Sequence, residues 1–194
     1  MLTLYHSPQS RSTRMIWLLE EIGEPYTIKY VTIPRADGSG GTDPVNKHPE
    51  GKVPALEHDG KLVRESGAIC LYLTDAFPRA GIGPKVGDPD RADYLFWLFN
   101  YVAELEPALI ARMTGAGENP MWKRTHDASM ARLTKALKAG DYLLGSKFSA
   151  ADILVSSAVQ WMRQQFPDDA VFDRYAERCT TRPAFKRAGP KDKQ

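Results

Sequence analysis

Cysteine, long apolar runs and net charge are all scarce in this sequence. Two cysteines occur in 194 residues, Cys70 and Cys179, and they do not form a Cys-x-x-Cys pair. Their number and separation argue against a disulfide framework and exclude thioredoxin-type redox chemistry. The low cysteine usage fits a reducing compartment, and we therefore expect a cytoplasmic protein.

Membrane and nucleic-acid partners are not indicated either. No apolar run approaches the length of a transmembrane helix, and the N-terminus lacks the basic and apolar stretches of a secretory signal. The net charge is only +2, which suggests no strong field for nucleic acid. We expect the basic residues near the C-terminus to form a solvated tail rather than a binding patch.

The first part of the chain alternates between strand and helix patterns. Leu2 to Tyr5 reads as a strand, and the chain from Ser12 or Thr13 to Ile22 has apolar residues at helical spacing. Tyr26 to Thr32 alternates again as a second strand. This order predicts a β-α-β unit with parallel strands and a right-handed crossover.

A hairpin and a helix follow this unit. Val53 to Glu57 and Leu62 to Arg64 are predicted strands around an Asp-Gly turn. Pro54 suits a strand edge, and a cis Val53-Pro54 bond would turn backbone groups of Val53 toward an added peptide strand. Ser66 is predicted to cap a helix from Gly67 to Phe77, whose N-terminus attracts anions. The complete order, β-α-β then β-β-α, predicts a thioredoxin-like α+β domain.

The rest of the chain has helical patterns and no clear strand. We predict a long helix opened by Asp88-Pro89 and kinked at Pro107, and another from Asn119-Pro120 to near Gly145. Shorter helices are expected further on. The predicted domains are a thioredoxin-like domain (1–79), a linker (80–87) and an all-α helical bundle (88–194).

One local motif in the helical part has a clear stabilising role. Ser149 is suited to cap a helix, and Asp152 at the third helical position can reach back to the Ser149 N–H. Phe148 can pack on Ile153 as a hydrophobic staple. The motif predicts a firmly started helix and by itself indicates no function.

Two segments of the first domain resemble the glutathione-binding signature of the glutathione transferase family. They are Pro49-Glu50-Gly51-Lys52-Val53-Pro54-Ala55-Leu56 and Glu65-Ser66-Gly67-Ala68-Ile69. The later run Phe148-Ser149-Ala150-Ala151-Asp152 is similar to the capping motif of the family's helical domain. The resemblance therefore extends over nearly the whole chain.

The resemblance implies a hydroxyl that activates the thiol of glutathione where the first strand meets the first helix. The spacing Ser10-x-x-Thr13-Arg14 resembles the serine-type (phi and theta-like) classes, and we predict Ser10 as the catalytic residue. Ser12 is the second candidate and an expected glutathione contact, and Tyr5 is the third. The alternative is that the serine hydroxyls only cap the helix.

The resemblance also assigns the other glutathione contacts. Lys52 would hold the glycine carboxylate, the Val53 backbone would bind the cysteinyl part, and Glu65 with Ser66 would hold the γ-glutamyl end. No metal is expected. A second site, for the electrophile, would be lined by the long helix. The candidate residues, which could equally belong to the core, are Asn100, Tyr101, Glu104, Arg112 and Trp122.

These features together predict a glutathione S-transferase that conjugates the glutathione thiolate to small, apolar electrophiles in detoxification. Glutathione would be a co-substrate, and the family implies a homodimer. Isomerase, peroxidase or dehalogenase chemistry at the same site is an alternative. A second alternative is a non-enzymatic binding module that uses the same fold.

Overall fold

The structure is a computed structural model, and it describes residues 1–193. The chain forms two compact units. The first unit combines Met1–Ala80 with the chain from Pro183 onward, and the second unit is Gly81–Arg182. Within residues 1–193, no helix is both long enough and apolar enough to cross a membrane.

A four-stranded mixed sheet is the centre of the first unit. Its strands are β1 (Leu2–His6), β2 (Tyr26–Tyr30), β3 (Ala55–His58) and β4 (Lys61–Arg64), in the spatial order β2-β1-β3-β4. β1 pairs with β2 in parallel and with β3 in antiparallel register, and β3 pairs with β4 as a hairpin. The predicted β-α-β and β-β-α order is therefore confirmed.

Two helices complete the first domain pattern. Helix α1 (Thr13–Ile22) joins β1 to β2 and ends at Gly23, whose φ of 78° allows the left-handed C-cap. Helix α2 (Ser66–Ala76) follows β4, and a short 3-10 turn follows at Pro78–Ala80. The strand β1 and most of α1 are buried, so they form the core of this unit.

The prediction that Ser66 caps α2 is wrong. The N-cap is Glu65, a non-glycine residue with a φ of 69°, and Ser66 is the first helical residue. Ser66 is buried, and its hydroxyl accepts a hydrogen bond from the guanidinium of Arg14 at 3.1 Å. The Ser66 hydroxyl therefore bonds to Arg14, a buried residue that is distant in sequence. It does not cap the helix, contrary to what the local sequence pattern predicts.

The end of the chain packs on the first unit. Helix α8 (Pro183–Ala188) lies against α1, with the Phe185 and Trp17 rings 4.9 Å apart edge to face. The 3-10 turn Gly189–Asp192 continues along the same unit. The sequence pattern assigns these residues to the helical domain, because a short helix does not indicate in its sequence the unit on which it packs.

The second unit is built from helices, as expected. They are α3 (Arg91–Asn100), α4 (Glu106–Met113), α5 (Pro120–Ala139), α6 (Ala150–Trp161) and α7 (Ala170–Thr180).

The predicted helix starts differ in detail from those observed. Asp88 accepts a turn hydrogen bond from the N–H of Asp90, and Asp90 is the residue before α3. Asn119 caps α5 by accepting from the Met121 N–H, as predicted. α5 ends at Ala139 rather than near Gly145, because the extended Gly140 begins a tight turn in which Tyr142 pairs with Gly145.

Where the sequence predicts a kink at Pro107, the structure has a π-helical segment just before this residue. Residues Tyr101–Leu105 are π-helical and connect α3 to α4, with Pro107 in the first turn of α4. Proline has no N–H to donate to the preceding turn, so the wider π turn accommodates it where an unbroken α-helix would not.

The capping box predicted at the start of α6 is confirmed. The capping box between Ser149 and Asp152 is complete, and the Asp152 carboxylate accepts the Ser149 N–H at 2.8 Å. The same carboxylate accepts from the Leu143 N–H at 2.9 Å and from the Tyr175 hydroxyl at 3.0 Å. Asp152 therefore connects the start of α6 to the preceding turn and to α7.

Candidate active site

Strand register brings the predicted glutathione contacts to one edge of the sheet. Tyr5 of β1 lies opposite Ala55 of β3, and Ala55 lies opposite Arg64 of β4. The residues after β1, before β3 and after β4 therefore leave the sheet at the same edge. This edge contains the turn that carries Ser10, the Lys52-Val53-Pro54 segment and the start of α2.

Ser10 lies half-buried in the turn that leads into α1. Its hydroxyl donates to the carbonyl oxygen of Ser7 at 2.6 Å and lies 2.7 Å from the Ser12 Oγ. It also accepts the Ser12 N–H at 3.2 Å. The Ser10 hydroxyl is therefore not the cap of α1, and the residue is only partly buried.

Ser12 is enclosed by its neighbours. It is fully buried, its Oγ lies 2.7 Å from Nδ1 of His6, and it accepts the Ser7 N–H at 3.2 Å. Together with the contact to Ser10, these bonds hold its hydroxyl inside the protein. Ser12 can act on a ligand through Ser10, and its direct access is restricted.

Tyr5 is placed unfavourably for thiol activation. Its side chain is buried, and its hydroxyl donates to the Glu57 carboxylate at 3.0 Å. Burial and this carboxylate raise the pKa of Tyr5. A hydroxyl that is already committed to an anion is a poor donor to a second one.

Two side chains of opposite charge lie at the same edge of the sheet as Val53. They are Lys52 and Glu65. The Val53-Pro54 bond is cis, and Val53 is half-buried next to Ala55. Lys52 is exposed and donates to Glu50, which raises the pKa of Lys52, and the charge of Glu65 adds to this effect. Glu65 is exposed, while Ser66 is buried on Arg14. A cation before β3 and a carboxylate after β4 thus lie at the same edge of the sheet, where a peptide with an amine and carboxylates would need both charges.

Family models match both parts of the chain. The description "Glutathione S-transferase, N-terminal domain" matches residues 4–84, and "Glutathione S-transferase, C-terminal domain" matches residues 107–186. Together these matches cover most of the chain. The chain belongs to the glutathione S-transferase family.

Individual relatives agree with this membership. The chain is 28% identical to glutathione S-transferase GstA of Escherichia coli O157:H7 over an alignment of 163 residues that covers 81% of each protein. Its structure resembles a glutathione S-transferase from Actinobacillus pleuropneumoniae, with a TM-score of 0.84 and 26% identity over 99% of this chain and 93% of the other. A sphingomonad glutathione S-transferase complexed with glutathione has a TM-score of 0.78 and 28% identity, with 98% of both chains covered.

Two residues next to the glutathione S-transferase site were missed by the sequence analysis. His6 is fully buried at the end of β1, with Nδ1 toward Ser12 and Nε2 3.3 Å from Oδ1 of Asp192. Asp192 also accepts from the Thr13 hydroxyl at 2.6 Å. Only the fold reveals Asp192, because it lies near the opposite end of the chain. His6 could have been suspected from its position beside the serine cluster.

The residues suggested to contact the electrophile lie in the second unit, where several of them form side-chain hydrogen bonds or ion pairs within that unit. Asn100 is buried and donates to Glu104 at 2.7 Å, and Tyr101 is buried with its hydroxyl on Glu106 at 2.9 Å. Arg132 also binds Glu104, at 3.2 Å. Arg112 is exposed, and Trp122 is half-buried. These contacts favour a packing role for Asn100 and Tyr101 within the π-helical region.

Proposed function

We propose that this glutathione S-transferase activates the glutathione thiol with Ser10 and transfers the thiolate to small, apolar electrophiles. The observation that carries the proposal is the half-buried Ser10 hydroxyl at the sheet edge, bonded to buried Ser12 beneath it. A hydroxyl that is backed by other donors can stabilise the thiolate, whose pKa is about 8.5 when it is free.

The other contacts follow from the charges around Ser10. Lys52 would bind the glycine carboxylate and the Val53 backbone the cysteinyl part. Glu65 would bind the γ-glutamyl ammonium, and the N-terminus of α2 the carboxylate beside it. In the reaction the sulfur forms a bond to the electrophilic carbon, and the leaving group departs with its electron pair. Holding both reactants together lowers the barrier, since the step is no longer bimolecular.

We further propose that the protein works as a cytoplasmic homodimer in detoxification. The two cysteines are both buried and do not form a disulfide, which supports the reducing compartment. Burial raises the pKa of Cys70 to about 12, so this thiol stays protonated and unreactive. The dimer rests on family membership and is tested by light scattering of the purified protein.

The reaction class is tested by following glutathione consumption with three electrophiles: a chloronitrobenzene, an alkyl halide and an organic hydroperoxide. We expect conjugates with the first two and loss of at least tenfold in kcat in Ser10→Ala, about 1.4 kcal/mol or more in the barrier. Turnover of only the hydroperoxide, with glutathione disulfide as product, would favour the peroxidase alternative. Glutathione binding without any turnover would favour the binding module.

A further inference from the structure

A chain of polar groups extends from Ser10 into the protein and ends at the C-terminal segment. Ser10 Oγ lies 2.7 Å from Ser12 Oγ, and Ser12 Oγ lies 2.7 Å from Nδ1 of His6. On the far side of the ring, Nε2 of His6 lies 3.3 Å from Oδ1 of Asp192. All four residues belong to the first unit.

The chemistry of Asp192 determines how the hydrogens are arranged in this chain. Nε2 of His6 forms no hydrogen bond with a described residue, but the negative charge of Asp192 at 3.3 Å favours the His6 tautomer with the hydrogen on Nε2. Nδ1 of the ring is then an acceptor, and the Ser12 hydroxyl donates to it. The Ser10 hydroxyl, which donates to the Ser7 carbonyl in the structure, also lies 2.7 Å from Ser12 Oγ. Its hydrogen can turn to Ser12, which leaves a lone pair of Ser10 for the thiol.

We propose that His6, oriented by Asp192, receives the proton of the glutathione thiol through Ser12 and Ser10. This inference rests on the proposed function, because it requires the thiol of glutathione to lie against Ser10. His6 and Asp192 act through Ser10 and are therefore positioning residues.

The proton balance of this step is complete without another reactant. The S–H bond of glutathione breaks and its proton joins Ser10 Oγ, while the Ser10 proton passes to Ser12 and the Ser12 proton to Nδ1 of His6. Three hydrogen bonds then reverse. His6 donates to Ser12, Ser12 to Ser10, and Ser10 to the new thiolate. The step thus produces the donor that stabilises its own product.

Before the transfer His6 is a weak base, so it can accept the proton only if Asp192 and the new thiolate stabilise the imidazolium. Burial lowers the pKa of His6 to about 4, while the Asp192 charge opposes this effect, so the ring is neutral near pH 7. From β2 the ring of Tyr30 packs on His6 at 5.6 Å, and its hydroxyl donates to the Lys191 carbonyl. The Arg35 guanidinium is one residue away, on the Ser7 hydroxyl at 3.1 Å. The imidazolium would be held between the carboxylate of Asp192 and the thiolate.

Asp192 is held in position by contacts that do not involve His6. Its Oδ1 accepts from the Thr13 hydroxyl at 2.6 Å and faces the Gln9 N–H at 3.4 Å. The neighbouring Lys191 binds Glu20 of α1. The docked C-terminal segment thus places a carboxylate behind the histidine, on the side of the ring opposite to Ser12.

The test counts protons and thiolates in the same complex. Calorimetry of glutathione binding in two buffers of different ionisation enthalpy gives the protons released, and ultraviolet absorbance gives the thiolate formed. The measurement is made at a pH where free glutathione is a thiol. In the parent protein we expect roughly half a proton or less to be released per thiolate, because His6 keeps the remainder.

Matched variants identify the residue that keeps the proton. His6→Asn retains a polar group near Nδ1 but cannot hold a proton, and Asp192→Asn retains an acceptor for Thr13 without the charge. We expect both to release close to one proton per thiolate and to form about tenfold less thiolate at the same pH. His58→Asn, at the other end of the sheet, should match the parent.

The outcomes separate this inference from the proposed function. If the parent binds glutathione, forms thiolate and releases one proton for each, the proton goes to solvent and the role of His6 is wrong, while the transferase function stands. If the parent forms no thiolate or does not bind glutathione, both proposals fall. Should the His6 variant not fold, the ratio in the parent and in Asp192→Asn still decides.

Discussion

Lys52 and Lys47 are two exposed lysines of the first unit that differ in their relation to the site. Lys52 pairs with Glu50 immediately before the Val53-Pro54 bond. Lys47 pairs with Glu57 of β3 at 2.8 Å. Their similar exposure and pairing make Lys47 a matched control for a specific role of Lys52.

We predict that Lys52→Met raises the KM for glutathione roughly tenfold and leaves kcat within about twofold, because the lost contact is made equally in the ground and transition states. Lys47→Met should change neither constant by more than about twofold. Steady-state kinetics with varied glutathione measure both. An equal rise in KM for the two variants would mean that Lys52 acts only through the general field of the surface.

The sequence predicts which side chains of the site carry hydroxyl groups, but it does not predict which residues form hydrogen bonds with them. The order of Ser10, Ser12 and Thr13 indicated a hydroxyl cluster before α1. The bonds that bury Ser12 and leave Ser10 half-buried depend on His6 and Ser7, whose positions are set by the sheet. Ser66 was misassigned for the same reason, since its partner Arg14 is on another helix.

Among the elements, helix α6 depends on the Asp152 carboxylate. Burial raises the pKa of Asp152 to about 6, although Leu143, Ser149 and Tyr175 donate hydrogen bonds to it and oppose the rise. The folded state therefore holds this proton more tightly than the unfolded chain, whose value is 3.8. The contribution of Asp152 to stability accordingly decreases as pH rises from about 4 to about 6, by about 3 kcal/mol in total.

We predict that Asp152→Asn lowers the free energy of unfolding by about 1–3 kcal/mol, because an amide cannot accept from both Ser149 and Leu143. The variant should also lose the pH dependence between about 4 and 6 that the carboxyl supplies. Urea denaturation across this pH range measures both effects. The exposed Asp127→Asn is the control, and a variant curve parallel to that of the parent would refute the pKa assignment.

Local signals explain why most elements were predictable. The Asp59-Gly60 turn, Gly23 and the Ser149 capping box are each encoded within a few residues. The end of α5 was predicted too far along the chain, because Gly140 ends the helix through its contact with the turn at Gly145. Helix ends that depend on a returning loop are not visible in a periodic pattern.

On the scale of the whole molecule, the end of the chain is an integral part of the first unit. Glu20 of α1 accepts from Arg187 at 2.8 Å and also binds Lys191 and the Tyr26 hydroxyl. These partners lower the pKa of Glu20 to about 2 in spite of burial, from its ordinary value of 4.5. The expectation of a solvated basic tail is therefore wrong for Arg187 and Lys191.

We predict that Glu20 contributes about 2 kcal/mol of stability at neutral pH, which is lost as pH falls from about 4.5 toward 2. The sign follows because the folded pKa lies below the unfolded one. Glu20→Gln should lower stability at pH 7 and flatten this acid limb, while the exposed Glu24→Gln should not. Chemical denaturation at several pH values checks this prediction, and identical acid limbs in Glu20→Gln and the parent would contradict it.

The packing of the C-terminal segment could not be read from the sequence. Its basic residues have the composition of a solvated tail, and their acidic partner Glu20 is separated from Arg187 by 167 positions. The thioredoxin-like order, by contrast, follows from alternating patterns along the first part of the chain. Long-range ion pairs are thus the main part of the fold that composition and periodicity do not predict.

The most direct test of this account is a pH titration of the thiolate absorbance of bound glutathione, in the parent and in Ser10→Ala. We predict that the parent lowers the pKa of the bound thiol by at least about one unit from its free value of about 8.5, and that Ser10→Ala loses most of this shift while still binding glutathione. Ser39→Ala, in an exposed loop, is the control. An unchanged thiolate titration in Ser10→Ala would contradict the assignment of Ser10 as the activating residue.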